Sequence, residues 1–410
     1  MANKTSTILK SHGSLWAKLG IEYYGLLIVL CSSVGLLLWR LEALTSNLLS
    51  ASEINTKHQL YINSPWWRSL ESLYGPYYLL LHATFAIHHN VLSLRLASVI
   101  AALVVVGMTY WLVSSWHGYK IGLMVAAATL VSFGLLAAGR EATPLITQLI
   151  VLPALILSVS HLFNKPTYFG LLLLGIVLAG VLYVPGGIWF VICTKLLGIK
   201  PIKVSFKKLS KIKKVIVTLT PLALITPLIF QLSAHYSLSQ LKLWLGYGLN
   251  GSLTHSAHVF LMNLLYTPMD LFIHSYNLSH NISLGHLPLL SIALSVIVAL
   301  GLYSYFTRLN NWRWRSVLIL LGLAWLMSGF GVISPLALLP LLFISAGTGL
   351  AFLLKEWYEV FPRNPIARSC GLIIMFAVIG LNTAYVARSY FVGWANNPLT
   401  TSLYSYRLKK

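Results

Sequence analysis

The chain has 410 residues, of which 57% are hydrophobic and only 9% are charged. A soluble domain carries about a quarter charged residues, so an ordinary soluble enzyme is excluded, and several apolar runs reach the ~20 residues that cross a hydrocarbon core as helix. The formal net charge is +21, but the basic residues fall in short loops between apolar runs, which is a topogenic pattern and not a nucleic-acid surface; anionic lipid head groups or lipid phosphates suit it instead. The ~10-residue alternating segments of a transmembrane β-barrel are absent. An all-α, polytopic membrane protein is expected, with 1–410 forming a single integral membrane domain.

In chain order, Lys4, Lys10 and Lys18 precede an apolar run from Tyr23 that ends in Leu38-Trp39-Arg40-Leu41-Glu42. No small-residue cleavage site follows, so this reads as a retained first helix. Spans are expected near 23–41, 92–113, 119–138, 144–163, 167–184, 186–198, 215–233, 287–306, 314–331, 334–354 and 368–386, eleven in all. The run 186–198 is short and follows Pro185-Gly186-Gly187, as a half-span or part of one broken helix would. The basic loop 199–214, the stretch TRLNNWRWR with Arg308, Arg313 and Arg315, and the stretch KEWYEVFPRNPIAR all fall on the inner side if the N-terminus is inside. The outer side then receives two long segments, 42–91 and 234–286, and short turns at 139–143, 184–187 and 331–333. Within the long segments, YYLLLHATFAI, SLSQLKLWLGY and HVFLMNLLYTPMDLFIH suit interfacial helices that roof a cavity. Cys31, Cys193 and Cys370 lie in or at the ends of apolar runs without a CxxC pair, so no disulfide framework or thiolate zinc site is expected. The tail after Val386 is short, and no soluble C-terminal domain is expected.

Chemistry that needs a carboxylate has eight acids to draw on: Glu22, Glu42, Glu53, Glu71, Glu141, Asp270, Glu356 and Glu359. The topology leaves Glu42, Glu53, Glu71, Glu141 and Asp270 outside. Glu53, in Leu-Leu-Ser-Ala-Ser-Glu-Ile, reads either as a catalytic carboxylate just above the membrane or as a first-turn residue favoured by the helix dipole after a Ser cap. Arg140 and Glu141 share the outer turn Ala-Ala-Gly-Arg-Glu-Ala-Thr-Pro. A guanidinium there could fork onto a lipid phosphate, or snorkel and pair with its neighbour. Glu141 and Glu71 are candidates for a second acid. Arg95 opens a span, as an anchor or facing a buried head group. Arg68 beside Trp66 and Trp67 reads as an interfacial anchor. His255 and His258 are spaced for one helix face, but no third ligand is set by spacing; a divalent metal stays open, and no other cofactor is implied. Asn250, Asn277 and Asn281 head acceptor sequons that matter only in a eukaryotic host. No Walker loop, GxSxG elbow, HExxH or dinucleotide fingerprint stands where it makes structural sense.

The order of features resembles the GT-C membrane glycosyltransferases, particularly the protein O-mannosyltransferase and aminoarabinose lipid A transferase branch. The resemblance rests on a long outer loop with an acid near its start, then SPWWRSLESLYGPYYLLLHATF, a span opening LRLASVIAALVVVGMTYWLV, and the turn with Gly139-Arg140. It covers 24–190 best; 191–410 matches only in its alternation of spans. It implies transfer of a sugar from a polyprenyl-phosphate-linked donor to a lipid, glycan or protein acceptor, with inversion. Glu53 would be the base, and Arg140, with Arg95 or Lys57, would bind the donor phosphate. Where many relatives carry a further acid, this chain reads Ala142-Thr143-Pro144-Leu145, with Glu141 slightly early. A transporter or flippase, or a non-catalytic member, is the alternative; span centres almost free of charge favour an enzyme at the boundary over a conduit. The resemblance also implies a bacterial plasma membrane, and the basic loops put the N-terminus on its cytoplasmic side.

Overall fold

The computed structural model describes residues 23–42, 46–62, 65–164, 166–234, 238–249, 253–276, 278 and 282–407. Lys4, Lys10, Lys18, Glu22, Asn250, Asn277 and Asn281 lie outside them. The described chain is almost wholly helical. Its strands, β1 (Leu49–Ser50) and β2 (Tyr404–Tyr406), form one antiparallel pair with Leu49 opposite Tyr406 and Ser50 opposite Tyr404.

A helix stands at each of the eleven expected positions. They are α1 (Tyr23–Leu38), α4 (Val91–His117), α5 (Tyr119–Leu130) with α6 (Phe133–Arg140), α7 (Leu145–Asn164), α8 (Tyr168–Val181), α9 (Gly187–Leu197), α11 (Lys211–Ala234), α14 (Ile292–Phe306), α15 (Trp312–Gly329), α16 (Leu339–Val360) and α17 (Pro365–Arg388). Five stretches are long and apolar enough to cross a membrane by themselves, and six if the bent pair α5–α6 counts as one span. α1, α8, α9 and α14 are apolar but shorter. The protein is a multi-pass membrane protein.

α4, α7 and α16 are buried along most of their length, whereas α11 and α17 stay largely exposed at the periphery. α14 and α16 cross with their backbones almost touching: a Cβ on Gly301 would stand 1.9 Å from the Ser345 carbonyl oxygen, and one on Gly349 2.1 Å from that of Ile297. Small residues permit such approaches where packing, not water exclusion, joins helices. The expected continuous span 119–138 is instead bent by 60°. Ser132 stops α5 and restarts α6, its hydroxyl accepting the Leu135 N–H. This bend delivers Arg140 and Glu141 to the end of the bundle.

The long segments expected outside are helical: α2 (Ala51–Ile62), a 3-10 turn (Trp66–Glu71) and α3 (Gly75–Phe85) in one, α12 (Leu238–Trp244) and α13 (Leu253–Phe272) in the other. They are stitched to the short turns of the same side. Tyr74 N–H donates to Tyr183 O (2.8 Å), Gly186 N–H to Trp244 O (3.1 Å) and Gly248 N–H to Phe330 O (3.1 Å). Aromatic residues beside the basic loops meet one another separately, as in the Phe163–Trp312 stack at 4.1 Å.

Candidate functional site

The local sequence Ser50-Ala51-Ser52-Glu53 has the spacing of a capping box, in which two side chains satisfy the free N–H groups of a helix start. The structure forms it. Glu53 N–H donates to Ser50 Oγ (3.2 Å), and Ser50 N–H donates back to Glu53 Oε2 (3.0 Å). Glu53 is fully buried and meets the guanidinium of Arg95 in a two-pronged pair, Nε to Oε1 at 2.7 Å and Nη2 to Oε2 at 2.9 Å. Ala142 N–H adds a bond to Oε1 at 3.0 Å. A carboxylate offers about four acceptor positions, and all four are taken.

In this geometry the Glu53 carboxylate, buried and with four donors, has no lone pair open to an acceptor hydroxyl. The two arginines expected at a donor phosphate also have protein partners. Arg95, itself buried, also donates to Leu41 O (2.8 Å) and Leu48 O (2.9 Å). Arg140 donates to Leu36 O (3.1 Å), Leu37 O (2.8 Å) and Trp39 O (2.7 Å), the free carbonyls at the C-terminal end of α1. A cation is favoured there by the helix dipole as well. Both arginines hold backbone carbonyls. Lys57 lies over the Tyr61 ring, 5.6 Å from its centroid.

A cavity of about 500 Å³ lies beside this cluster. One wall is α2, through Ser52, Asn55, Thr56 and Gln59. Their i, i+3, i+4, i+7 spacing makes one helix face; Lys57 points ~150° away from it at 100° per residue. Tyr74 and Tyr78 form a second wall, and Glu141, Thr143, Pro144, Leu145 and Gln148 a third, with Ile282 and Ser334 closing it. Of the five acids expected outside, Glu141 alone lines this chamber. Glu42 accepts the Leu92 N–H at the start of α4 (2.7 Å), Asp270 accepts the Tyr276 N–H (2.6 Å), and Glu71 ends the 3-10 turn away from the lining. Glu141 is tied to the buried pair through Ser50, whose hydroxyl donates to its Oε1 at 2.6 Å.

The remaining lining is hydroxyl and amide. Gln148, a polar residue inside the apolar run of α7, donates to Tyr74 Oη (3.1 Å) and accepts the Ser334 N–H (2.9 Å), so it orients two walls at once. Tyr74 sits at φ 61°, a left-handed conformation that non-glycine residues adopt at a cost and that clusters at functional sites. Burial pushes its phenol above the ordinary tyrosine range, with the Gln148 bond opposing, so it stays a proton donor at neutral pH. Thr143 Oγ1 is buried and meets no partner among the described residues. The N-terminal ends of α2 and α7 both border the chamber, and helix starts favour negative charge. Among the described residues no three His, Cys, Asp or Glu side chains gather as a metal cage.

The tail closes the other side of the cluster. α17 runs into a π-helical turn, Ser389–Trp394, which sets Phe391 and Tyr390 against the Arg140 guanidinium at 5.1 and 5.8 Å. Trp394 stacks on Tyr390 at 4.8 Å, and β2 brings Tyr404 to 5.9 Å from the Arg95 guanidinium. Reading the sequence missed this aromatic cover, and Tyr74, Tyr78, Thr143 and Gln148 as well. Gln148 within an apolar run and the polar stripe of α2 were visible signals.

Fold and site together define a polytopic, almost wholly helical membrane protein with a polar chamber at one end of its helices. The crystal structure of ArnT from Cupriavidus metallidurans in the apo state is similar to it, with a TM-score of 0.51 and 12% identity, over 96% of this chain and 77% of that one. At this identity the likeness is one of fold. No protein-family model and no curated protein sequence matches the chain.

Proposed function

We propose that the protein is a membrane glycosyltransferase that moves a sugar from a polyprenyl-phosphate-type donor to an acceptor hydroxyl or amine on the extracytoplasmic side of a bacterial plasma membrane, with the N-terminus cytoplasmic. The observation that carries this reading is the chamber itself. One carboxylate stands among neutral hydroxyl, amide and tyrosine groups, the donors and acceptors that a sugar's hydroxyls need. Beside it, and sharing Tyr74, is an apolar slot of about 220 Å³ between α3, α4, α7 and α8, walled by Met108, Ile150, Val151, Val177 and Val181. A donor whose sugar lies in the chamber and whose isoprenoid chain lies in the slot has its phosphate near Tyr74 and the start of α7. The open helix end there favours an anion.

In this reading Glu141 is the base. It takes the proton of the acceptor as the acceptor's oxygen or nitrogen bonds to the anomeric carbon. The bond from that carbon to the phosphate oxygen breaks, the electron pair leaves with the polyprenyl phosphate, and configuration inverts. Glu53 and Arg95 are positioning residues: they fix Ser50 and Ala142, the groups on either side of Glu141. A general base contributes typically ~10²–10⁴-fold. Purified protein assayed against a panel of polyprenyl-phosphate sugars tests the activity, and Glu141→Gln tests the base. No turnover with any donor in the panel contradicts the function; full turnover by Glu141→Gln contradicts the assignment of the base.

A further inference from the structure

The loop 282–291 has a cavity on each face. Ile282 closes the polar chamber, while Ser283 belongs to a second cavity, of about 490 Å³, between α14 and α17. The wall of this second cavity is mostly apolar, and Leu287, Ile292 and Leu381 on it are exposed at the protein surface. On a membrane-spanning helix such a surface faces hydrocarbon.

One group in the wall does not fit a hydrocarbon-only occupant. Asn382 is 8% exposed. Its Oδ1 accepts the Ser291 hydroxyl, and among the described residues its amide nitrogen meets no acceptor. A donor that opens into an apolar cavity without an acceptor carries a desolvation cost where no water competes. Among the described residues no Lys, Arg or His lines the cavity, so a neutral acceptor suits it better than a phosphate. We propose that this cavity binds an acylated membrane lipid, with its chain along the apolar wall and the Asn382 amide donating to the carbonyl oxygen that joins chain to head group. The site stands independently of the glycosyltransferase reading, because its readout is bound lipid and not turnover.

The test uses the full chain reconstituted with diester phosphatidylglycerol and its diether counterpart, which has the same head group and chains but no carbonyl, and counts retained lipid by native mass spectrometry. The diester form is expected to be retained about fivefold better, the equilibrium worth of one ordinary hydrogen bond. Asn382→Leu should remove that preference. Ala293→Trp, at an exposed position on the cavity wall, should remove both lipids with thermal stability unchanged. Equal retention of the two forms by the unmodified chain, or undiminished retention by Ala293→Trp, overturns the proposal. Lipid extracted from the protein as purified from its membrane identifies the source. A bulk phospholipid or a rarer acylated acceptor, lost from Ala293→Trp, supports the site; identical extracts from both proteins overturn it.

Discussion

Two regions lie side by side at the same end of the bundle and treat polar groups in opposite ways. In the cluster of Glu53, Arg95 and Arg140, every carboxylate oxygen and most guanidinium groups are bonded to protein. In the chamber, Thr143 is buried without a partner among the described residues, and Tyr74 is held in a strained backbone conformation. The first region contains most of the charge, and the second contains a buried hydroxyl that meets no partner among the described residues. Charge that has found all its partners builds structure; a buried polar group without one calls for an explanation. Ser50 joins the two regions by bonding to both Glu53 and Glu141.

Substitutions should separate the regions. The largest stability loss is expected for Glu53→Gln, which leaves Arg95 buried without its counter-charge; breaking such a pair costs about 3–5 kcal/mol. Thermal unfolding in detergent checks it, and an unshifted midpoint would place Glu53 in the chamber class. Arg140→Met should cost about 2–3 kcal/mol, since three bonds from a charged group to the end of α1 disappear. Glu141→Gln should leave the unfolding midpoint nearly unchanged while lowering turnover ~10²–10⁴-fold. Thr143→Val should be neutral to slightly stabilising, by up to about 1 kcal/mol, because it removes an unmet hydroxyl, and should raise KM for the donor severalfold with kcat little altered. A stability loss in Thr143→Val comparable to that of Arg140→Met would erase the distinction between the two regions.

Much of the fold was legible because apolar runs of membrane length announce themselves locally. The bend at Ser132 was not, since a single N-cap inside an apolar run carries little compositional signal. At the site, the capping box Ser50-x-x-Glu53 is a local pattern, and the reading of Glu53 as a first-turn helix residue describes where it sits. Its burial depends on Arg95, 42 residues away, and on Ala142, 89 residues away; no local spacing encodes such pairings. Glu141 was legible only as a second acid, because the cavity that it faces is assembled from α2, the Tyr74–Tyr78 stretch, α7 and Ile282. The aromatic cover from Tyr390 to Tyr404 had no sequence signal beyond its composition, as it takes its meaning from the arginines beneath it.

The central claim is that the reacting carboxylate is Glu141 and that Glu53 supports it from behind. It is tested most directly by measuring transfer and thermal unfolding on Glu141→Gln, purified beside the unmodified chain with the same polyprenyl-phosphate sugar. The account predicts an unchanged midpoint with turnover reduced ~10²–10⁴-fold. A variant that transfers sugar at the rate of the unmodified chain would contradict it.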